Sequence, residues 1–329
     1  MRFEQLLHET IEEMSAELTG PPSGLAAASM ARGRRIRRTR RIAAAAAAVA
    51  AVVAVALPWA LLSQPQRRAQ PAAPGLPGGW VVTGVGNQVL DRATGKYVTL
   101  PVRGTVLPAP TGDRVLVDDG PGSVRLMSVR GTDVMTVDTT GLGGAYNWSP
   151  RGDRLVTQVI QKEPFRIGFA VIDARTGAVT RHWINHARYD CSRCTFVWFG
   201  QETVVLPIAD RSGGEAAELV DRLEVFDALS GEHYVSVPAG LTPSGPFSQS
   251  PGGQYIVGDL DGTATNWRLI DLATGQLWPF PYDAVWVSSD ELLAAHDGKV
   301  YVLTRQGTVT ATIDVNLPGP GKISLGPAR

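Results

Sequence analysis

Two turn signatures recur along residues 80–329, and they constrain the fold more than any other feature of the chain. The first joins two apolar strands through a tight glycine turn, as in the stretch NWSPRGDRLV at 147–156. The second joins two strands through Asp-x-x-Thr-Gly, as in VIDARTGAVTRHW at 171–183. Glycine supplies the positive φ of a tight turn, and a neighbouring Asp, Ser or Thr hydrogen-bonds the turn backbone. Each copy therefore predicts a β-hairpin.

The number of copies predicts the number of sheets. The second signature recurs at six turns and the first at five: Gly95, Gly131, Gly177, Gly231, Gly275 and Gly307 for the second, and near Gly112, Gly152, Gly200, Gly252 and Asp290 for the first. One copy of each gives four strands, which is one blade of a β-propeller. Residues 80–329 divided by six give about 42 residues per blade, within the usual period. We therefore predict an all-β, six-bladed β-propeller, with five or seven blades as alternatives because two copies are weak.

The two ends of this region are predicted to meet in one sheet. Residues 80–100 carry only a second signature and so amount to half a blade. Residues 311–326 (ATIDVNLPGPGKISLG) contain PGPGK, a degenerate copy of the first turn. Pairing of 80–100 with 311–326 would close the ring and remove the free strand edges of an open array.

An uncharged segment near the N-terminus predicts one transmembrane helix. Ile42–Leu62 is 21 residues long and lacks any charged side chain, and a helix of that length spans about 31 Å. Seven arginines lie between residues 32 and 41, whereas only Arg67 and Arg68 follow closely. The positive-inside rule then predicts a single-pass protein of the cell membrane, with a cytoplasmic N-terminus and an extracytoplasmic propeller. A cleaved signal peptide is the alternative interpretation.

The segments on either side of this span have different predicted roles. Residues 1–41 form a cytoplasmic segment in which apolar side chains recur along one helical face: Phe3, Leu7, Ile11, Met14 and Leu18. This pattern predicts a short amphipathic helix in residues 1–18, which is either a docking helix for a cytosolic partner or a frayed tail. Residues 63–79 (SQPQRRAQPAAPGLPGG) are rich in Pro and Gly and predict an extended tether.

The repeats also resemble those of a known group of proteins. The stretch W-S-P-x-G-x-x-L-V at 148–156 and the D-x-x-T-G turns are similar to WD40-like and TolB-like propeller repeats. With its Arg-flanked, Ala-rich span, the whole chain resembles actinobacterial single-pass membrane proteins that carry extracytoplasmic propellers. The resemblance implies the propeller fold for residues 80–329 and, for some such proteins, a link to sigma-factor signalling. Propellers host unrelated activities, so the resemblance does not specify a function.

The two cysteines give the one candidate site that the sequence names. Cys191 and Cys194 stand in the loop joining the third and fourth sheets, and extracytoplasmic thiols tend to oxidise, so we predict a local disulfide. A redox pair is one alternative. A zinc site that adds His182 and His186 is another, although residues i and i+4 of a strand are about 13 Å apart.

Other short motifs are better explained as structure than as chemistry. Asp259-Leu-Asp-Gly262 looks like the start of a calcium loop but lacks the later ligands, so a hairpin turn is predicted there and at 118–120. Seven tryptophans recur about the blades, where packing between sheets is expected and a ligand platform is the alternative. No nucleophile elbow, phosphate loop or dinucleotide fingerprint occurs, so no catalytic, cofactor or metal residue is assigned.

Charge and topology together favour a binding function. Residues 1–41 carry a net charge of +3 and the remainder −3, which argues against nucleic acid as a partner of the propeller. We predict a binding, sensing or protein-interaction module that meets an unknown protein or cell-wall ligand on the propeller face. The alternatives are a cell-wall-directed lyase or glycosidase with an axial active site, and a membrane-bound regulator of a sigma factor acting through the cytoplasmic helix.

Overall fold

The computed structural model describes residues 75–143, 145–189, 191, 195–210, 219–261, 264–317 and 321–328. The predicted cytoplasmic helix, the predicted transmembrane helix Ile42–Leu62 and residues 63–74 of the predicted tether lie outside these ranges. Among the residues that the structure describes, no helix has the length and apolarity needed to cross a bilayer.

The described residues form six antiparallel sheets, each a meander of neighbouring strands. We call these sheets blades 1 to 6 in chain order. Their strands are, for blade 1, β1 (Gly75–Leu76), β2 (Trp80–Val85), β3 (Gln88–Asp91), β4 (Lys96–Thr99) and the C-terminal β25 (Ile323–Pro327); for blade 2, β5 (Thr105–Pro108), β6 (Arg114–Asp118), β7 (Ser123–Ser128) and β8 (Met135–Asp138); for blade 3, β9 (Asn147–Trp148), β10 (Arg154–Gln161), β11 (Arg166–Asp173) and β12 (Val179–Ile184); for blade 4, β13 (Val197–Phe199), β14 (Thr203–Asp210), β15 (Leu219–Asp227) and β16 (His233–Val237); for blade 5, β17 (Thr242–Pro243), β18 (Tyr255–Asp259), β19 (Trp267–Asp271) and β20 (Leu277–Pro279); and for blade 6, β21 (Ala284–Trp286), β22 (Glu291–His296), β23 (Lys299–Thr304) and β24 (Val309–Asp314).

The blades form a closed ring, which confirms the predicted six-bladed propeller over the five- and seven-bladed alternatives. An apolar cluster lies between each pair of consecutive blades in the described residues, including one that joins blade 6 to blade 1 through Leu293, Val302, Val82 and Trp80. Middle strands such as β6 are therefore buried on both faces, whereas the outermost strands β16 and β24 are largely exposed. The core consists of these interfaces between blades.

The second turn signature folds as its chemistry predicts. In blade 3 one carboxylate oxygen of Asp173 accepts hydrogen bonds from the backbone N–H groups of Arg175 at 3.0 Å and Thr176 at 2.7 Å. Gly177 then takes φ +71°, a conformation that side chains with a Cβ rarely adopt. Blade 4 repeats the arrangement, where Asp227 accepts from the N–H groups of Leu229 and Ser230.

Tryptophans of the inner strands fasten neighbouring blades together. The indole N–H of Trp148 in blade 3 donates to the carbonyl of Leu107 in blade 2 at 3.0 Å, and that of Trp286 in blade 6 donates to Ser248 in blade 5 at 3.1 Å. The expected packing role is observed for Trp80, Trp148, Trp198 and Trp286, all of which are buried.

The ring closes where β25 pairs with β2, in a register that runs from Trp80↔Pro327 to Val85↔Ile323. The first and last segments of the propeller region thus share one sheet, but two predicted boundaries are wrong. Residues 311–314 belong to β24 of blade 6, so the C-terminus supplies one strand to blade 1 rather than two. The predicted tether ended too late, because Gly75–Leu76 already pairs with β2.

The number of C-terminal strands in blade 1 was predicted wrongly because one turn of this blade carries neither of the two turn signatures. Residues 80–100 are not one hairpin but three strands, because the chain already reverses between β2 and β3 at Gly86, which has φ +56°. Blade 1 therefore needs only one more strand, its innermost, and β25 supplies it.

Arg92 reinforces this seam from the β3–β4 turn. Its guanidinium donates to the carbonyl of Pro327 at 2.6 Å and to the carbonyl of Pro110 at 2.7 Å. One side chain therefore joins the first blade, the C-terminal strand and the second blade.

Candidate functional site

A narrow cavity lies on the propeller axis. Its volume is about 210 Å³, and the innermost strands or adjoining segments of blades 1, 2, 3, 5 and 6 contribute its lining, including Leu107, Trp148, Val285 and Leu325. We call it the axial cavity. Its described lining contains one carboxylate, Asp283, and no histidine.

A wider cavity opens on the face that carries the connections between blades. Its volume is about 530 Å³, and we call it the upper cavity. Its lining comes from four segments that are distant in sequence: the β18–β19 turn, the β20–β21 connection, the β22–β23 turn and the approach to β25. The upper and axial cavities share four lining residues, Asp283, Ala295, Lys322 and Ile323, so they meet beside the axis.

Aromatic side chains form one wall of the upper cavity. The ring of Tyr282 stacks on that of Tyr301, with centroids 4.8 Å apart and an interplanar angle of 14°. The imidazole of His296 lies against Tyr282 at 5.4 Å. Trp267, at the start of β19, also lines the cavity. Because Tyr282 is held between two rings, this wall is preorganised.

Ionisable groups also line the upper cavity. The Nζ of Lys322 is 3.9 Å from the Oδ2 of Asp283, and the Nε2 of His296 is 3.3 Å from the Oδ2 of Asp297. The Oδ1 of Asp283 is buried and, within the described part of the chain, has no hydrogen-bond donor. The side chain of Lys322 is largely exposed to solvent, at 87%.

Two residues at the rim of the upper cavity have a positive φ, for different reasons. Ala264 has φ +60° and Asp297 has φ +48°. Ala264 is held by the buried Asp259 carboxylate, which accepts from the N–H groups of Ala264 at 2.8 Å and Asn266 at 3.3 Å. Asp259 thus stabilises the β18–β19 turn, as the hairpin interpretation predicted. Asp297 needs its positive φ for the two-residue Asp-Gly turn between β22 and β23, whereas Ala264 is strained, and strained residues concentrate at functional sites.

The cysteine loop lies elsewhere, between β12 and β13. Cys191 forms a β-bridge with Ile208 and packs against the apolar cluster between blades 3 and 4. Cys194 lies outside the described residues, so the disulfide stays a prediction. The two histidines of the zinc alternative contact different aromatic rings, His182 that of Phe169 and His186 that of Phe165. Within the described ranges, no three His, Cys, Asp or Glu side chains are grouped to hold a metal ion.

The buried carboxylate of Glu224 in blade 4 was not predicted from the sequence. Glu224 accepts hydrogen bonds from the Oγ of Ser236 at 2.6 Å and the Nε of Arg222 at 2.7 Å, and its other contact is the Nε2 of His233 at 2.6 Å. Burial alone would raise its pKa, but these hydrogen bonds outweigh burial and hold the pKa below its ordinary value. Ser236 and His233 both bind the carboxylate, so the group is a polar network around one buried carboxylate and not a serine–histidine relay.

The upper cavity was likewise not predicted from the sequence. Its side chains come from connections between strands and from the strand ends next to them, and, apart from the degenerate copy PGPGK, neither of the two turn signatures has its turn at these positions. The weak signal that exists is the cluster of aromatic residues at 278–282 (WPFPY), directly before Asp283.

Comparisons with known proteins find similarity in structure rather than in sequence. No protein-family model matches the chain, and no curated protein matches it. Among solved structures, a putative TolB from Agrobacterium tumefaciens is 12% identical with a TM-score of 0.42, over 69% of this chain and 84% of that one. TolB from Acinetobacter baumannii is 15% identical with a TM-score of 0.44, over 77% of this chain and 67% of that one. The fold assignment itself rests on the sheet topology of this chain.

Proposed function

We propose that the protein is a membrane-anchored, extracytoplasmic binding module that takes its ligand in the upper cavity. The observation that carries this proposal is the junction of the two cavities at Asp283, where aromatic rings line the same cavity as a carboxylate whose cation, Lys322, is 3.9 Å away. A concave site that combines apolar walls with a few convergent polar groups is the usual form of a ligand site. The strained backbone of Ala264 at its rim supports the same choice.

Binding fits the chemistry of the described lining better than catalysis does. A glycosidase needs two carboxyl groups on opposite sides of the scissile bond, but the described lining of the axial cavity offers one, Asp283. The described lining of the upper cavity has one histidine, His296, and its near neighbour is an acid rather than a nucleophile. The proposed role is therefore to bind a cell-wall ligand or a protein segment.

The membrane anchor is part of the proposal because of the uncharged segment Ile42–Leu62 and the arginines that precede it. The anchor places the propeller outside the cell and leaves residues 1–18 for a cytosolic partner. Protease added to intact cells should remove an epitope at the C-terminus and spare one at the N-terminus. Release of the whole chain from membranes by alkaline carbonate would contradict the anchor.

The ligand site is tested by a screen on the full-length chain, with the melting temperature as the readout. A ligand at a hundred times its Kd stabilises the folded state by about 2.7 kcal/mol, which such a screen detects easily. Compounds that act in the upper cavity should stabilise the unmodified chain but not Tyr282→Ala. The matched control is Tyr234→Ala, because Tyr234 is 75% exposed on the outermost strand of blade 4. Hits that stabilise Tyr282→Ala as strongly as the control would refute the assignment.

A further inference from the structure

We infer that the upper cavity selects a ligand carrying a primary ammonium group on an aliphatic stem, such as a lysine side chain. The inference rests on the proposed function and adds the chemical class of the ligand. Three features support it: the acceptor geometry at Asp283, the charge balance of the lining, and the apolar surface beside the carboxylate.

The geometry at Asp283 calls for a hydrogen-bond donor. Its Oδ1 is buried out of reach of solvent and has no protein donor in the described residues, so a ligand in the cavity meets the other carboxylate oxygen, Oδ2. In the described residues, the cation paired with Oδ2 is the Nζ of Lys322, at 3.9 Å. That distance exceeds the 2.7–3.2 Å or so of a hydrogen bond, so Lys322 offsets the charge without satisfying the acceptor.

The charge balance of the cavity favours a cation. Its described lining carries two carboxylates, Asp283 and Asp297, against one ammonium, that of Lys322. Apart from the imidazole of His296, the carboxylates outnumber the ammonium group by one, and a ligand with a single positive charge would balance them. Lys322 is the weaker competitor, since its side chain is 87% exposed and must lose rotamer freedom to stay near Asp283.

The surface beside Asp283 suits the stem of such a ligand. Ala295 and Ile323 line both cavities and supply apolar area, while Trp267 and Tyr282 supply electron-rich rings close to the carboxylate. Rings of this type attract a desolvated ammonium group. A calcium ion is a poorer fit, because it requires six to eight oxygen ligands and the described lining places one free carboxylate at this point.

The test compares two probes, Nα-acetyl-lysine amide with a charged ε-ammonium group and its Nε-acetylated form, in which an acetyl group removes that charge, by ligand-observed NMR with the full-length chain. The charged probe is expected to bind with a Kd of about 1 mM, as suits a fragment of this size, and the neutral probe at least about tenfold more weakly. Added salt should weaken binding of the charged probe.

Substitutions give the sharper signature because two of them act in opposite directions. Asp283→Asn should weaken the charged probe at least about tenfold, whereas Lys322→Gln should tighten it about threefold by removing the internal competitor. Asp314→Asn is the matched control, because Asp314 is an exposed partner of Lys299 on β24 of the same blade. The melting temperature of each variant verifies that the ring is intact.

Each contrary outcome has a defined meaning. Equal binding of the neutral probe, unchanged binding in Asp283→Asn, or weaker binding in Lys322→Gln would overturn the inference. Displacement of the charged probe by calcium chloride that is lost in Asp283→Asn would overturn it in favour of a metal site. If Tyr282-dependent ligands emerge from the screen and all are neutral, the cation inference fails alone; if no ligand depends on Tyr282, the proposed function fails with it.

Discussion

Replacing Arg92 by alanine should loosen the seam of the ring more than any other single surface substitution in the blade 1 turns. The guanidinium of Arg92 donates to the carbonyls of Pro327 and Pro110 at 2.6 and 2.7 Å, and alanine leaves both acceptors without that donor. Hydrogen bonds that involve a charged group contribute about 1.5–3 kcal/mol each. Because Arg92 is only half-buried, we discount the sum of the two and expect a loss of about 2–4 kcal/mol in the free energy of unfolding.

The assay is urea unfolding of the full-length chain, followed by tryptophan fluorescence. The matched control is Arg175→Ala, since Arg175 lies exposed in the equivalent turn of blade 3 and should change the free energy of unfolding by less than about 0.5 kcal/mol. Arg92→Lys should fall between the two, because an ammonium group cannot reach two carbonyls in the fork geometry of a guanidinium. If Arg92→Ala and Arg175→Ala unfold at the same urea concentration, the seam does not depend on Arg92 and the reasoning is refuted.

Three further predictions concern other parts of the ring. Glu224→Gln should flatten the dependence of stability on pH. Because the pKa of Glu224 is lowered in the folded state, its carboxylate stabilises the fold fully above the ordinary carboxyl pKa of 4.5, and this stabilisation is lost as the pH falls through the lowered pKa. The urea midpoints at pH 7 and pH 3 should therefore differ less in the variant. Gly168→Ala should cost more than about 2 kcal/mol, because a Cβ there would overlap the backbone carbonyl of His182 on the next strand; an unchanged melting temperature would contradict that placement. Cys191 and Cys194 should resist alkylation by iodoacetamide until a reductant is added, and mass spectrometry of the full-length chain measures this directly.

The fold was predictable from the sequence because its repeating unit is local. The Asp173 turn needs only residues 173–177 to satisfy its backbone, and each of its counterparts marks one pair of strands wherever it occurs. Six such marks give six blades without any knowledge of long-range contacts. The boundaries at the seam were less predictable for two reasons. The turn at Gly86 has no Asp or Thr beside it, and β25 pairs with a strand that is more than 200 residues away in sequence.

The upper cavity was not predictable for a related reason. Its lining comes from four different segments, which contribute Trp267, Tyr282, His296 and Lys322. The sequence of each segment has no pattern that predicts which other segments lie beside it in the fold. Only the closure of the ring places the approach to β25 beside blades 5 and 6. The Glu224 network has the same origin, because the register of β15 on β16 decides that Ser236 lies opposite the carboxylate.

Closure and binding are therefore connected through one strand. Ile323 and the adjacent Lys322 line the upper cavity at the start of β25, and Pro327 accepts from Arg92 at its other end. If Arg92→Ala lets β25 detach for part of the time, the cavity is complete only in the remaining fraction of molecules, and the apparent affinity of any upper-cavity ligand falls in proportion to that fraction. The same ligand should in turn oppose detachment, since it binds only the closed ring. Protection of the β25 amides from hydrogen exchange should therefore increase with ligand in Arg92→Ala, and an absence of any such increase for a ligand that depends on Tyr282 would show that the seam and the site are independent.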